Sequence, residues 1–243
     1  MKSLKNVPDI ILKSKSIGHR IDFKWSKNKM EKFLDPLEGN EELQIALDQI
    51  SHKAAVGLTA ALVEWIHWRF TGYTKAANDV EKRIEALWCS INNMENSKPL
   101  DFDTDLEMPV RSCVNGPIWL ALMTAKMVDV RYKKGSYFLQ SEIIGLALLT
   151  RHVTPKKKVF DKWLNSIISQ LVRLYPCQYD YTDLDESDEA VYDSSNEPVI
   201  CREFFFDDQF IYSPEAAEKA LYNFIDNLDQ KANPFLDLSR RAS

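Results

Sequence analysis

The residues best suited to do chemistry are gathered at Glu64, Trp65, His67, Trp68 and Arg69. Glu64-x-x-His67 reproduces one half of the diiron carboxylate pattern of helical bundles, in which a Glu and a His three positions apart project from the same helix face. The other half is missing, because the residues three before His19, His52 and His152 are Ser16, Gln49 and Leu149. No metal is therefore expected at this cluster, which keeps two readings: an apolar pocket for a small ligand or substrate, or tryptophans filling a core beside a polar rim.

Other motifs fail on required positions. Asp101, Asp103 and Asp105 imitate the opening of a calcium loop, but Leu106 replaces the turn glycine and Ser112 the closing bidentate glutamate. Asp183, Asp185 and Ser187 fail alike, at Asp188 and Ser194. Ser26-x-x-Lys29 lacks the companion elements of a serine–lysine acyl transferase. Phosphate-loop, dinucleotide and zincin signatures are absent. Cys89, Cys113, Cys177 and Cys201 lie far apart with no C-x-x-C, so reduced thiols are expected rather than a zinc knuckle or a redox pair. No cofactor is expected.

The strongest signal is electrostatic. Asp180, Asp183, Asp185, Glu186, Asp188, Glu189, Asp193 and Glu197 fall in a stretch with no Lys or Arg between Arg173 and Arg202, and Glu203, Asp207 and Asp208 follow. That exceeds the net charge of −5 for all 243 residues. Aromatic residues are interleaved: Tyr179, Tyr181, Tyr192, Phe204, Phe205, Phe206, Phe210 and Tyr212. Purely solvating loops are poor in aromatics, whereas binding surfaces join aromatic anchors to charges that steer encounter. Residues 177–212 are thus read as an acidic aromatic insert, with Tyr192, Asp207, Asp208 and the eight acids as candidate partner-binding residues. The sign of the charge opposes direct nucleic-acid binding. At the other end, nine bases oppose three acids between Met1 and Phe33, so residues 1–25 are expected to be an irregular basic segment.

The elements that must position these residues are helical. With 7 Gly, 45% hydrophobic and 28% charged residues, the chain has the composition of a folded domain without a turn-rich β-architecture. Ser26 can cap a short helix ending before Pro36. From Asn40 to Gly72, apolar Leu43, Leu47, Ile50, Ala54, Leu58, Ala61 and Trp65 recur at steps of three and four, predicting one long helix bent near Gly57. Ala77, Val80, Ile84, Leu87, Ile91 and Met94 predict its antiparallel neighbour. Prolines beside capping residues open predicted helices over 117–132, 155–175 and 214–229, with another over 136–153. Residues 199–212, rich in β-branched and aromatic types, predict a small hairpin before the last helix. The expectation is a single all-α domain over 1–243, a bundle of six to seven helices in antiparallel pairs. No apolar run reaches the roughly 20 residues of a membrane span, and the short run at Ile10 to Leu12 is no secretory signal. A cytoplasmic protein is expected.

Trp65-Ile-His-Trp68 within an all-α body, together with the acidic insert over 180–197, resembles the helical immunity proteins of bacterial polymorphic and contact-dependent toxin systems. The resemblance implies a protein that binds a cognate toxin, commonly a basic enzyme such as a nuclease, and occludes its active site. It carries over no catalytic residue. The alternatives are an enzyme or ligand-binding domain built on the Trp/His/Glu/Arg cluster, and an adaptor or scaffold using its helix pairs.

Overall fold

The protein is described by a computed structural model that covers residue 4 and residues 6–36, 39–102, 112–179 and 191–238. Among these residues there are ten α-helices, one 3-10 turn and no sheet. The all-α expectation holds, with more and shorter helices than the six or seven predicted.

α1 (Asp9–Lys13) lies inside the segment expected to be irregular, and buries Ile11. α2 (Lys27–Leu34) is capped by Ser26, whose hydroxyl accepts from Lys29 N at 3.2 Å, and it buries Met30 and Phe33. The predicted long helix is two helices, α3 (Glu41–Asp48) and α4 (His52–Phe70). The break has a tertiary cause. Ile50 bridges to Pro176, Ser51 N donates to the Tyr175 carbonyl at 2.8 Å, and Cys177 N donates to the Gln49 carbonyl at 2.8 Å, so this backbone pairs with a distant segment. Ser51 then caps α4 by accepting from Ala54 N.

Every residue of α4 except Trp68 is buried. A helix apolar on all sides belongs in the centre of a fold, and α4 packs against α5 (Ala77–Asn92), α6 (Asn115–Lys133) and α7 (Ser141–Val153). Gly57 lies inside the continuous helix α4. Its missing Cβ admits Ile200 and Phe205, since an added Cβ would lie 2.7 Å from the Ile200 side chain. α2 and α3 cover α7, while α8 (Lys157–Leu174) lies over α1, α3 and α7.

The predicted hairpin is not formed. Arg202–Phe206 is a short helix, α9, followed by an irregular turn through residues 207–212. A strand there has no neighbouring edge to pair with, whereas a helical turn places Phe204 and Phe205 together in the core. α10 (Pro214–Asp226) closes the body against α5 and α9, its start capped by Ser213. The buried apolar residues form one contiguous core.

Candidate functional site

The acidic insert stands on a buried carboxylate. Glu197 is 3% exposed and faces inward, accepting from His52 N at 3.0 Å and Lys53 N at 2.7 Å, the first two backbone donors of α4. Helix starts leave such N–H groups without intrahelical partners, and an anion there also meets the positive end of the helix dipole. The Tyr192 hydroxyl donates a third hydrogen bond to Glu197 at 3.0 Å. Lys53 turns its ammonium back onto the same segment, donating to the carbonyls of Ser195 at 2.9 Å and Glu197 at 2.8 Å. One residue from the insert therefore caps the central helix of the fold.

Around this carboxylate sits a ring of tyrosines. Tyr179 and Tyr192 have ring centroids 4.4 Å apart, and Tyr137 lies 4.8 Å from Tyr179. His52 packs between them at 5.5 Å and 4.8 Å. Its Nε2 is 2.7 Å from the Ser136 carbonyl, which can only accept, so Nε2 carries the proton. Nδ1 faces the Tyr179 hydroxyl at 3.2 Å. Burial lowers the His52 pKa below its ordinary value, against the opposing pull of the Ser136 carbonyl and Glu197. Tyr192 N donates to the Gly135 carbonyl at 2.9 Å, closing the anchor. The chain enters and leaves residues 180–190 at one fixed place.

The second half of the insert is held by an ion pair. Arg202 donates to both oxygens of Glu64, from Nε at 2.8 Å and from a terminal nitrogen at 2.6 Å, and Trp68 Nε1 donates to the same carboxylate at 3.1 Å. Glu64 is fully buried. Trp163 Nε1 donates to the Phe205 carbonyl at 2.9 Å, tying α9 to α8.

Between α8 and residues 204–212 runs a groove of about 690 Å³. Trp163, Phe204 and Phe205 form its floor; Asp207 and Asp208 stand on one rim, Lys162 and Arg173 on the other. Ile211 is 86% exposed at its edge, the most exposed of the large apolar side chains described. Chemically this is a seat for an amphipathic chain segment with an apolar anchor and charge on each side.

The sequence-predicted partner-binding residues separate into three groups. Asp207 and Asp208 are exposed and flank the groove. Glu197 and Tyr192 are drawn inward as anchors, and Asp193 accepts from Ser195 N in a local turn. Asp180, Asp183, Asp185, Glu186, Asp188 and Glu189 lie outside the described residues. Of the five residues of the alternative pocket, Glu64, Trp68 and His67 touch in series, and Trp65 and Arg69 are engaged elsewhere. Glu64 and Trp68 serve Arg202; His67 Nδ1 donates to the Ala77 carbonyl at 2.9 Å; Trp65 packs edge-on to Phe160. Arg69 spends its guanidinium on three carbonyls, those of Val153, His19 and Arg20. Among the described residues, no group of three or more His, Cys, Asp and Glu side chains is arranged to hold a metal ion. No described helix is long and apolar enough to cross a membrane.

His52, Lys53, Tyr137 and the α8 face that carries Trp163 join the site through tertiary contacts, and their one local signal is Ser51 as a helix cap inside a periodic run. Comparison with protein-family models, with curated proteins and with solved structures finds no match for this chain.

Proposed function

We propose that the protein is a binding protein that neutralises a basic partner, a bacterial effector enzyme of the kind met by the immunity proteins it resembles, by covering that enzyme's active site. The observation that carries this reading is the division of labour within the insert. Its inward residues, Glu197, Tyr179, Tyr192 and Arg202, are fully engaged with the body. The six acids of residues 180–190, with no base among them, are set between anchors whose rings touch. Asp207, Asp208 and the apolar groove lie on the continuing chain. Acids steer a cationic surface into encounter, raising association toward about 10⁸–10⁹ M⁻¹s⁻¹ at low salt. The groove then supplies the apolar anchor that slows dissociation.

The test is a growth rescue. The C-terminal part of the protein encoded by the adjoining reading frame is expressed in a bacterial host with and without this chain. Rescue is expected with the natural sequence. It should be lost when Asp183, Asp185, Asp188 become Asn and Glu186, Glu189 become Gln. Absence of toxicity or rescue, or equal rescue by the five-residue variant at high and low salt in a binding assay, removes the reading.

A further inference from the structure

A second concave surface has the opposite electrostatic character. It is a pocket of about 670 Å³ between α2, the start of α3, the end of α7 and the start of α8, lined by Lys29, Lys32, Arg151, His152 and Lys157. Phe33, Pro36 and Leu148 give it an apolar wall. Arg151 is neutralised by a two-point contact with Asp161, at 2.7 and 3.0 Å. Among the described residues, Lys29, Lys32 and Lys157 have no carboxylate within ion-pair distance, and Asp35 is the one acid on the lining. Those four groups leave an excess of positive charge on the described lining.

The location adds to it. Lys156 is the N-cap of α8 and Lys157 and Lys158 its first two residues, where the helix dipole is already positive, and the Lys156 side chain makes no capping hydrogen bond. Lysine offers only donors, so it cannot satisfy those first N–H groups. Cations from α2 and α8 thus line one pocket beside the positive end of a helix dipole, where like charges repel. Natural sequences break such local rules chiefly where a site needs it. Lys29 and Lys157 both act on His152 between them, adding to the burial that lowers its pKa. Lys29 also rides over the Phe33 ring at 5.4 Å, so the wall is an organic surface directly beside a cation.

We infer that this pocket binds a phosphate monoester of a small organic molecule. A phosphate monoester carries roughly −1.5 to −2 charges near neutral pH and three strong acceptor oxygens, which suits the excess of lysine over carboxylate among the described lining residues. Its organic part rests on Phe33, Pro36 and Leu148. The inference is independent of the toxin-neutralising reading, since none of the described residues of the acidic insert lines the pocket.

Phenyl phosphate is the probe, titrated into the full chain by calorimetry and followed at the His152 ring by NMR, with phenol as the uncharged control. Saturable 1:1 binding of phenyl phosphate is expected, with none for phenol and an upward shift of the His152 titration as the ester offsets the lysines. The variant Lys29→Gln/Lys32→Gln/Lys157→Gln should bind more than about tenfold more weakly, since charge-assisted contacts are each worth a substantial share of such an affinity. A control variant at exposed lysines elsewhere, Lys75→Gln/Lys134→Gln/Lys219→Gln, should bind as the natural protein does. Vesicles containing phosphatidic acid separate the two sources of the same chemistry: cosedimentation that phenyl phosphate competes away assigns a lipid headgroup, and its absence assigns a free ester. Equal loss in both lysine variants, undiminished binding in the pocket variant, or no saturable binding of phenyl phosphate overturns the inference. Unchanged circular dichroism of the variants separates these outcomes from misfolding.

Discussion

The acidic insert and the basic pocket concentrate charge in opposite ways. In the insert, the acids are contiguous in sequence, and the structure sorts them: Glu197 goes inward to cap α4, while Asp207 and Asp208 stay in solvent. In the pocket, the cations come from residues 29–32 and 151–157, far apart in sequence and brought together by the packing of α2 on α7 and the entry into α8. The difference shows that local charge density reports a surface only when its carriers are neighbours along the chain. It also separates charges buried in the fold from charges exposed to solvent.

The sharpest way to break this distinction is at Glu197. Glu197→Ala removes the acceptor for His52 N, Lys53 N and the Tyr192 hydroxyl, and takes away the larger of the carboxylate charges acting on the Lys53 ammonium. Stripping one partner from a buried charged network costs about 3–5 kcal/mol. A urea unfolding midpoint should fall accordingly. Asp207→Asn/Asp208→Asn, at exposed positions, should change stability by less than about 0.5 kcal/mol. Equal effects at the two places would mean that inward and outward acids are not distinct.

Close approach of helices underlies both regions, at Gly145 for the pocket and Gly57 for the insert. An alanine methyl at Gly145 would run into the Phe33 backbone carbonyl, which cannot turn aside, so α2 must move off α7. At Gly57 the nearest atom is the end of the Ile200 side chain, which can rotate. Overpacking of a core costs about 1–3 kcal/mol, and Gly145→Ala is expected at the upper end, Gly57→Ala at the lower, partly offset by the helix preference of alanine. Thermal unfolding of the two variants ranks them. Gly145→Ala should also weaken phenyl phosphate binding, and Gly57→Ala should leave it intact.

The smallest effect is a pH dependence shared by the two regions. Burial lowers the pKa of His52 and of His152 from 6.5; Glu197 opposes the shift at His52, whereas Lys29 and Lys157 reinforce it at His152. Each ring takes up its proton at higher pH in the unfolded chain than in the folded one. Stability is therefore fully present above 6.5 and declines as pH falls below it toward the folded-state values. The slope is at most about 1.4 kcal/mol per pH unit for each histidine. Asp48 and Asp129, raised by burial, act in the opposite sense. Urea midpoints between pH 5.5 and about 7.5 should show the decline, shallower in His52→Gln and in His152→Gln. The Lys29→Gln/Lys32→Gln/Lys157→Gln variant should flatten the His152 share alone. A flat profile in the natural protein would exclude both histidines as the source.

Particular elements show how far the sequence could be read. Ser26 and Ser213 announced their helices correctly, because an N-cap depends on the hydroxyl and the backbone a few residues away. The three-and-four rhythm of residues 43–65 was also real, yet it ran through the break at Gln49 to Ser51. Periodicity records which side chains are buried, and burial continues across the break while the backbone leaves the helix to pair with residues 175–177. Residues 199–206 have strand-like composition and form α9, since the aromatic side chains are needed in the core and no strand edge is at hand. Glu64 and His67 share a helix and a spacing, but Arg202, 138 positions away from Glu64, decides what that carboxylate does.

Sequence alone thus determined the all-α class, the helix starts and the existence of an acidic, aromatic region, because each depends on composition, on periodicity or on neighbours within about one helical turn. Tertiary structure decided which acids are structural and which face outward, where a helix yields to a long-range backbone pairing, and that lysines from two distant segments share one pocket. Those outcomes depend on contacts between residues far apart in the chain, and no local pattern encodes the partner.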